Sequence, residues 1–217
     1  MKDKEAELIG MHTGDGTLYK TNKNYLVWEM RGSVNEQEYY RYVSSMIIEL
    51  FGIDIKPKYR GPASYGIQTC NKILTSFFVK HGFMPGSKVY TVSIPKYIIN
   101  GNLRIKKAFV RGLFDTDGCV RFDKNRTKFH YYPKIEFGLA SKNLRDDLLQ
   151  LLIKLGFRPY IWQSVRKDGI EYKICLAGFA NLEKWIQNIR PANKKHLDRI
   201  EAGLLNKEMV KKNIPNL

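Results

Sequence analysis

One segment of this chain occurs twice. Leu8-Ile-Gly-Met-His-Thr-Gly-Asp-Gly16 and Val110-Arg-Gly-Leu-Phe-Asp-Thr-Asp-Gly118 share the pattern apolar-x-Gly-apolar-apolar-x-x-Asp-Gly, about a hundred residues apart. A duplicated motif at that spacing makes the chain two copies of one folding unit. Its 217 residues suffice for two packed subdomains.

The elements after each copy recur in order. An alternating strand over 25–31 is matched by one over 134–139. A helix over 39–51 carries Val43, Met46, Ile47 and Leu50 on one face, and its counterpart over 144–155 carries Leu148, Leu151, Leu152 and Leu155. Asn35 and Glu38 have the spacing of a capping box for the first of these. Both helices stop near a glycine, in Phe51-Gly-Ile and Leu155-Gly-Phe. Strands over 64–69 and 171–176 follow, with Tyr65 and Ile67 matching Tyr172 and Ile174, then shorter helices over 71–82 and 179–189. Each copy closes on Pro-x-x-Lys, Pro85 to Lys88 and Pro191 to Lys194. Each half therefore reads α-β-β-α-β-β-α. The expected class is α+β, with repeats over 1–100 and 101–217 joined around 98–104 and packed closely, since no low-complexity linker separates them.

Within the motif, Gly10 and Gly112 sit in mid-helix, where glycine costs about 0.5–1 kcal/mol relative to alanine. Close approach of two helix backbones would account for that cost in both copies. Gly16 and Gly118 fit a left-handed helix stop. The aspartate before each, Asp15 or Asp117, faces the negative end of the helix dipole. If the two helices cross, the carboxylates also repel one another. A single Asp-Gly is an ordinary turn signal; its recurrence inside a longer motif points instead to a divalent cation between two acids. Oxygen ligands with retained water suit Mg²⁺, and such an ion near a phosphate activates water and stabilises a leaving oxygen.

Charge points the same way. Lys and Arg total 37 against 21 acids, a net charge of +16, which favours a polyanionic partner. Cys70, Cys119 and Cys175 are widely separated and form no CxxC, so neither a zinc ribbon nor a disulfide framework is supported. His12, His81, His130 and His196 are equally scattered. No stretch approaches the length of a membrane span, and the polar N-terminus suggests a cytoplasmic protein without membrane association.

Both segments resemble the LAGLIDADG motif, the second more closely, and the order of elements is similar over nearly the whole chain. The resemblance is to the single-chain, two-motif homing endonucleases encoded within introns or as free-standing frames; no intein splicing blocks are evident. It implies two αββαββα units related by a pseudo-twofold axis. It also implies a saddle of two four-stranded antiparallel sheets in the DNA major groove, a divalent metal, and a staggered double-strand cut across the minor groove. The metal-binding acids of the family correspond to Asp15 and Asp117, with backbone carbonyls of Gly14 and Thr116 joining them. Thr13 stands where the family has its first, architectural aspartate, matching Asp115. A basic residue near each metal site is implied too; the Pro-x-x-Lys segments suggest Lys88 and Lys194, with Lys195 a close competitor.

An antiparallel sheet with one buried face alternates in and out. In the second half Val120, Phe122, Ile135, Phe137, Leu139, Ile161, Val165, Tyr172, Ile174 and Leu176 then point inward. That leaves Arg121, Asp123, Lys134, Glu136, Arg158, Tyr160, Trp162, Ser164, Arg166 and Lys173 facing DNA. The first half contributes Tyr19, Glu29, Arg31, Lys56, Lys58, Arg60 and Gln68. Such side chains pair with base edges. The expected activity is site-specific cleavage of double-stranded DNA at a long asymmetric target, by a monomer that needs no protein partner. The alternatives are an intron RNA maturase or a DNA-binding protein that does not cut; retention of both motif acids favours cleavage. A basic structural protein of a ribonucleoprotein would explain the charge but not the paired helix ends.

Overall fold

The computed structural model describes residues 2–124, 128–167 and 169–213. The chain end at 214–217, assigned from sequence to the second repeat, lies outside the described residues. The first unit runs α1 (Lys2–Gly14), β1 (Gly16–Lys20), β2 (Leu26–Ser33), α2 (Gln37–Phe51), β3 (Lys58–Gly61), β4 (Ser64–Thr69) and α3 (Lys72–Lys80). A connection bearing the short α4 (Lys96–Ile99) leads to the second unit. That unit comprises α5 (Leu103–Asp117), β5 (Gly118–Asp123), β6 (Tyr132–Leu139), α6 (Lys142–Lys154), β7 (Tyr160–Arg166), β8 (Gly169–Ala177), α7 (Phe179–Asn188) and α8 (Lys194–Asn213). Each unit forms a four-stranded antiparallel sheet, in the order β1-β2-β4-β3 or β5-β6-β8-β7. The duplication in sequence is a duplication of topology.

The two motif helices pack against each other without intervening side chains. A Cβ on Gly10 would lie 2.1 Å from the Phe109 carbonyl oxygen, and one on Gly112 would lie 2.0 Å from that of Glu7. The contact is reciprocal, as a twofold demands. It explains why α1 has no one-sided apolar stripe: Ala6 to Thr13 are all buried, charged residues included. Glu7 is accommodated there by Tyr42, which donates to Oε1 at 2.6 Å, and by Arg111 at 2.5 Å from Oε2.

Around this axis the core is continuous. Val43, Met46, Ile47, Leu74 and Phe78 cover Trp28, Met30 and Ile67 in the first unit; Leu148, Leu152 and Trp185 cover Ile135, Phe137 and Ile174 in the second. The connection belongs to this body too. The Ser141 hydroxyl donates to the Val92 carbonyl at 2.6 Å, and Asp147 accepts from the Ile94 amide at 3.0 Å. The passage between units is thus broader than the joint expected at 98–104.

Several local expectations need correction. Neither Gly16 nor Gly118 is left-handed; Gly118 is extended, at φ −84° and ψ 162°. These glycines supply space, because a Cβ would stand 2.2 Å from His12 Nδ1 or 2.0 Å from the Phe114 ring. The left-handed stops are Gly52 (φ 68°) and Gly156 (φ 79°). The capping box is formed by Ser33 and Glu36 on a 3-10 turn ahead of α2, not by Asn35 and Glu38. Ile161 and Val165 are 43% and 87% exposed, because β7 is an edge strand that the helices beneath the inner strands do not cover. Helix α8 was not foreseen, since more than half its residues are polar or charged and its apolar ones form no clean stripe. Gly203 lets it sit on β5, at a position where a Cβ would meet the Phe122 ring at 2.1 Å.

Gly112→Ala tests the axis. In an exposed helix this change would stabilise; here the backbone of α1 occupies the space, and a loss of about 1–3 kcal/mol or more is expected in urea unfolding. An unchanged or raised midpoint would contradict the close contact.

Candidate active site and nucleic-acid interface

The helix crossing fixes where the chemistry sits. α1 and α5 end side by side, so Asp15 and Asp117 converge. A Cβ on Gly14 would lie 2.1 Å from Thr116 Oγ1 and 3.1 Å from Asp117 Cγ, so the end of α1 lies directly against the end of α5. Both carboxyls are pushed above the ordinary range. For Asp117 burial is the larger cause and the Asp15 charge the next, taking it up to about 7 against the pull of Lys88 and Lys195. For Asp15 burial again leads; Lys195 opposes it and Glu36 adds to it.

Two lysines face this pair by different means. Lys88 Nζ donates to the carbonyls of Thr13 at 2.7 Å and Gly14 at 2.6 Å. Burial lowers its pKa, while Asp117 and Asp15 support its charge. Lys195 Nζ lies 3.5 Å from the Thr116 carbonyl and 2.9 Å from Glu36 Oε1. Lys194, expected here from Pro-x-x-Lys, lies on the exposed face of α8 and pairs with Asp198 at 2.6 Å. The repeat is out of step by one residue at this point, and helical geometry turns adjacent lysines to different faces.

Asp115 shows why. Its carboxylate is fully buried and accepts from the amides of Ala192 at 2.9 Å and Asn193 at 3.2 Å. Asn193 Nδ2 in turn donates to the Asp115 carbonyl at 3.0 Å and to Glu36 Oε1 at 2.7 Å. These bonds clamp Ala192 and Asn193 to the end of α5 and deliver Lys195. Thr13, the counterpart of Asp115, bonds back into its own helix at Ile9. The first unit anchors its lysine loop through the Gly86 amide, which donates to the Leu18 carbonyl at 2.8 Å. Sequence reasoning missed Glu36 and Asn193, which no repeat marks.

His12 and His196 pack beside the site. His12 packs tilted against Phe78 and edge-on to Phe83, each at 4.3 Å, and accepts from Trp28 Nε1; His196 lies 4.4 Å from the Phe114 ring. Burial drives both pKa values down, His196 to about 3, so both are neutral core rings at neutral pH.

The donor set suits a hard divalent cation: two mutually repelling carboxylates and the Gly14 and Thr116 carbonyls. Among the described residues no group of three His, Cys, Asp or Glu is arranged for a metal. The Gly14 and Thr116 carbonyls, both expected as ligands, each accept from a lysine, Lys88 at 2.6 Å and Lys195 at 3.5 Å.

Apart from Lys56 and Arg158, which precede strands, the residues read as DNA-facing share the open faces of the sheets. In the first, Arg60 Nη1 donates to Gln68 Oε1 at 2.9 Å, Gln68 Nε2 donates to Tyr19 Oη at 2.6 Å, and Arg31 pairs with Glu29 at 2.9 Å. Lys58 opens β3 and Lys56 precedes it; both are exposed. In the second, Arg121 takes Glu136 with two bonds, at 2.6 and 3.0 Å, and also Asp123, which binds Lys134 at 2.6 Å. Glu171, not foreseen, gathers Lys173 at 2.8 Å, Arg166 at 2.5 Å and the Ser164 hydroxyl at 3.2 Å. Trp162 lies opposite Lys173 on this face, and Tyr160 opposite Cys175; Arg158 is exposed just ahead of β7.

Two such units occur in one chain, each headed by a motif helix that ends in an acid at a shared axis, which is the arrangement implied by the resemblance to two-motif LAGLIDADG proteins. Residues 104–190 match the family model of the LAGLIDADG-like domain. The chain's fold is that of the homing endonuclease I-DmoI, with a TM-score of 0.61 at 20% identity over 87% of this chain and 96% of that one. I-WcaI, solved on its DNA recognition sequence, gives 0.62 at 15% identity over 91% and 86%. By sequence the chain is 33% identical over 171 residues to MJ1054 of Methanocaldococcus jannaschii and 25% identical over 214 to the replicative DNA helicase DnaB of a Synechocystis species. The matches take up 76% and 93% of this chain but only 18% and 23% of those proteins.

The buried acids predict a pH profile for metal-free protein. Asp117 has a folded pKa of about 7, above its unfolded value near 4, so its contribution favours folding at low pH and is lost as pH rises across that window. Asp117→Asn should raise the metal-free Tm above about pH 7 and flatten the profile. An unchanged Tm there would contradict the burial and repulsion described.

Proposed function

We propose that this chain is a site-specific double-strand DNA endonuclease whose active site is built on Asp15 and Asp117. The convergence of these two carboxylates beneath a pair of open sheet faces carries the reading. Solved relatives of the same fold support it, I-DmoI having been determined with DNA and Mn and with DNA and Ca. The proposed ion is Mg²⁺, held by Asp15 and Asp117 with the Gly14 and Thr116 carbonyls; when bound it activates water and stabilises the leaving oxygen.

The protein's own residues do the rest. The sheet faces seat the duplex through Arg31, Lys58, Arg60 and Gln68 on one side and Arg121, Lys134, Arg166 and Lys173 on the other. Lys88 and Lys195 present ammonium groups to the scissile phosphates, where charge develops. One chain supplies both halves of the site, so no protein partner is needed.

Cleavage of a duplex spanning the uninterrupted insertion site, in Mg²⁺, tests the proposal. Asp15→Asn and Asp117→Asn should each lose about a hundredfold or more in rate while still binding the duplex. Wild-type protein that binds and never cuts would leave a binding protein or a maturase, and an intron-splicing assay would separate those two. Independently, Lys56→Ala and Lys58→Ala should each lower the slope of log affinity against log salt by about one, with little change in sequence preference. An unchanged slope would remove these lysines from the interface.

A further inference from the structure

Glu36 crosses from one unit to the other. It sits on the turn before α2, yet its Oε1 accepts from Asn193 Nδ2 at 2.7 Å and pairs with Lys195 Nζ at 2.9 Å, both in the second unit. Its Oε2 accepts from the Ser33 amide at 2.9 Å, and a Cβ on Gly32 would come within 2.6 Å of that oxygen. The carboxylate is thus held from both sides, with its side chain 14% exposed. These bonds hold it below its ordinary pKa despite the opposing effect of burial.

The second unit has no counterpart. Glu29 and Glu136 occupy matching places opposite Thr17 and Cys119, which puts Asn143 where the first unit has Glu36. Residues 138–145 contain no acid, and Ser141 there caps α6 and binds the Val92 carbonyl. Lys88 is fixed instead by two backbone carbonyls of α1. One active-site lysine is therefore positioned by backbone and the other by a side chain from the opposite unit.

We propose that Glu36 is a positioning residue that acts through Lys195, so that its loss impairs the cutting of one DNA strand and spares the other. This rests on the endonuclease reading above. Each cut consumes one water: its oxygen bonds phosphorus, the phosphorus–sugar oxygen bond breaks with the electron pair left on the sugar oxygen, and a proton returns to that oxygen. Lys195 faces one such reaction and Lys88 the other; Glu36 touches neither.

The test uses the full chain and the cleavable duplex labelled on each strand. Glu36→Gln should slow one strand by about ten- to a hundredfold, leave the other within about twofold, and build up nicked duplex. Lys195→Met should slow the same strand, Lys88→Met the opposite one, and Glu36→Gln with Lys195→Met should be no slower than Lys195→Met alone. Equal slowing of both strands, or additive slowing in the double variant, overturns the proposal. Melting temperatures separate this from the activity itself. If Glu36 holds Lys195, the double variant should melt no lower than the less stable single variant. Coupled melting in a protein that cuts nothing would remove the endonuclease reading and keep the tether; independent melting removes the tether.

Discussion

Everything downstream depends on two helix backbones meeting without side chains between them. Gly10 and Gly112 let α1 and α5 approach until a carbonyl of one helix fills the place of a Cβ on the other. Because β1 and β5 leave directly from the ends of those helices, the same contact sets the distance between the acids and the placement of the two sheets. The position of the acids and that of the two sheets follow from one packing contact. Its cost is local: two carboxylates confined together, each raised by burial and by its neighbours' negative charge. The flanking lysines offset part of it.

The architecture was legible because duplication gives every element a second reading. Alternation placed Arg121, Lys134, Glu136 and Lys173 on one face, and the ladder register puts them there. Reading failed where tertiary context overrode a local rule. Gly16 and Gly118 looked like conformational stops but provide clearance. Ile161 and Val165 obey alternation yet lie on an uncovered edge. Lys194 obeyed the repeat, but the Asp115 clamp on Ala192 and Asn193 sets the phase of α8 and turns Lys195 inward instead. Periodicity could not show which loop a buried acid would hold, nor that Glu36 would reach its partners across the axis.

The units have diverged most at that lysine loop. One uses Asp115 to grip the chain, while the other has Thr13 and relies on the Gly86 amide. Folding at the pseudo-twofold constrains both helices alike, whereas the loops need only deliver an ammonium group and can do so by unlike means. Similar function at the two half-sites therefore does not require similar sequence around them.

On the proposed function, the ion pairs on the second sheet bear on how the surface would tell one DNA sequence from another. Arg121, Glu136, Asp123 and Lys134 form a connected lattice, and Glu171 joins Lys173, Arg166 and Ser164 in another. A base edge that recruits one of these cations takes it from an acid, which must find a new donor or stay unpaired in a partly desolvated place. Recognition at one base pair is thereby coupled to its neighbours. Changing the target one letter at a time should meet strong context effects, and the natural unit of redesign on this face is the whole cluster.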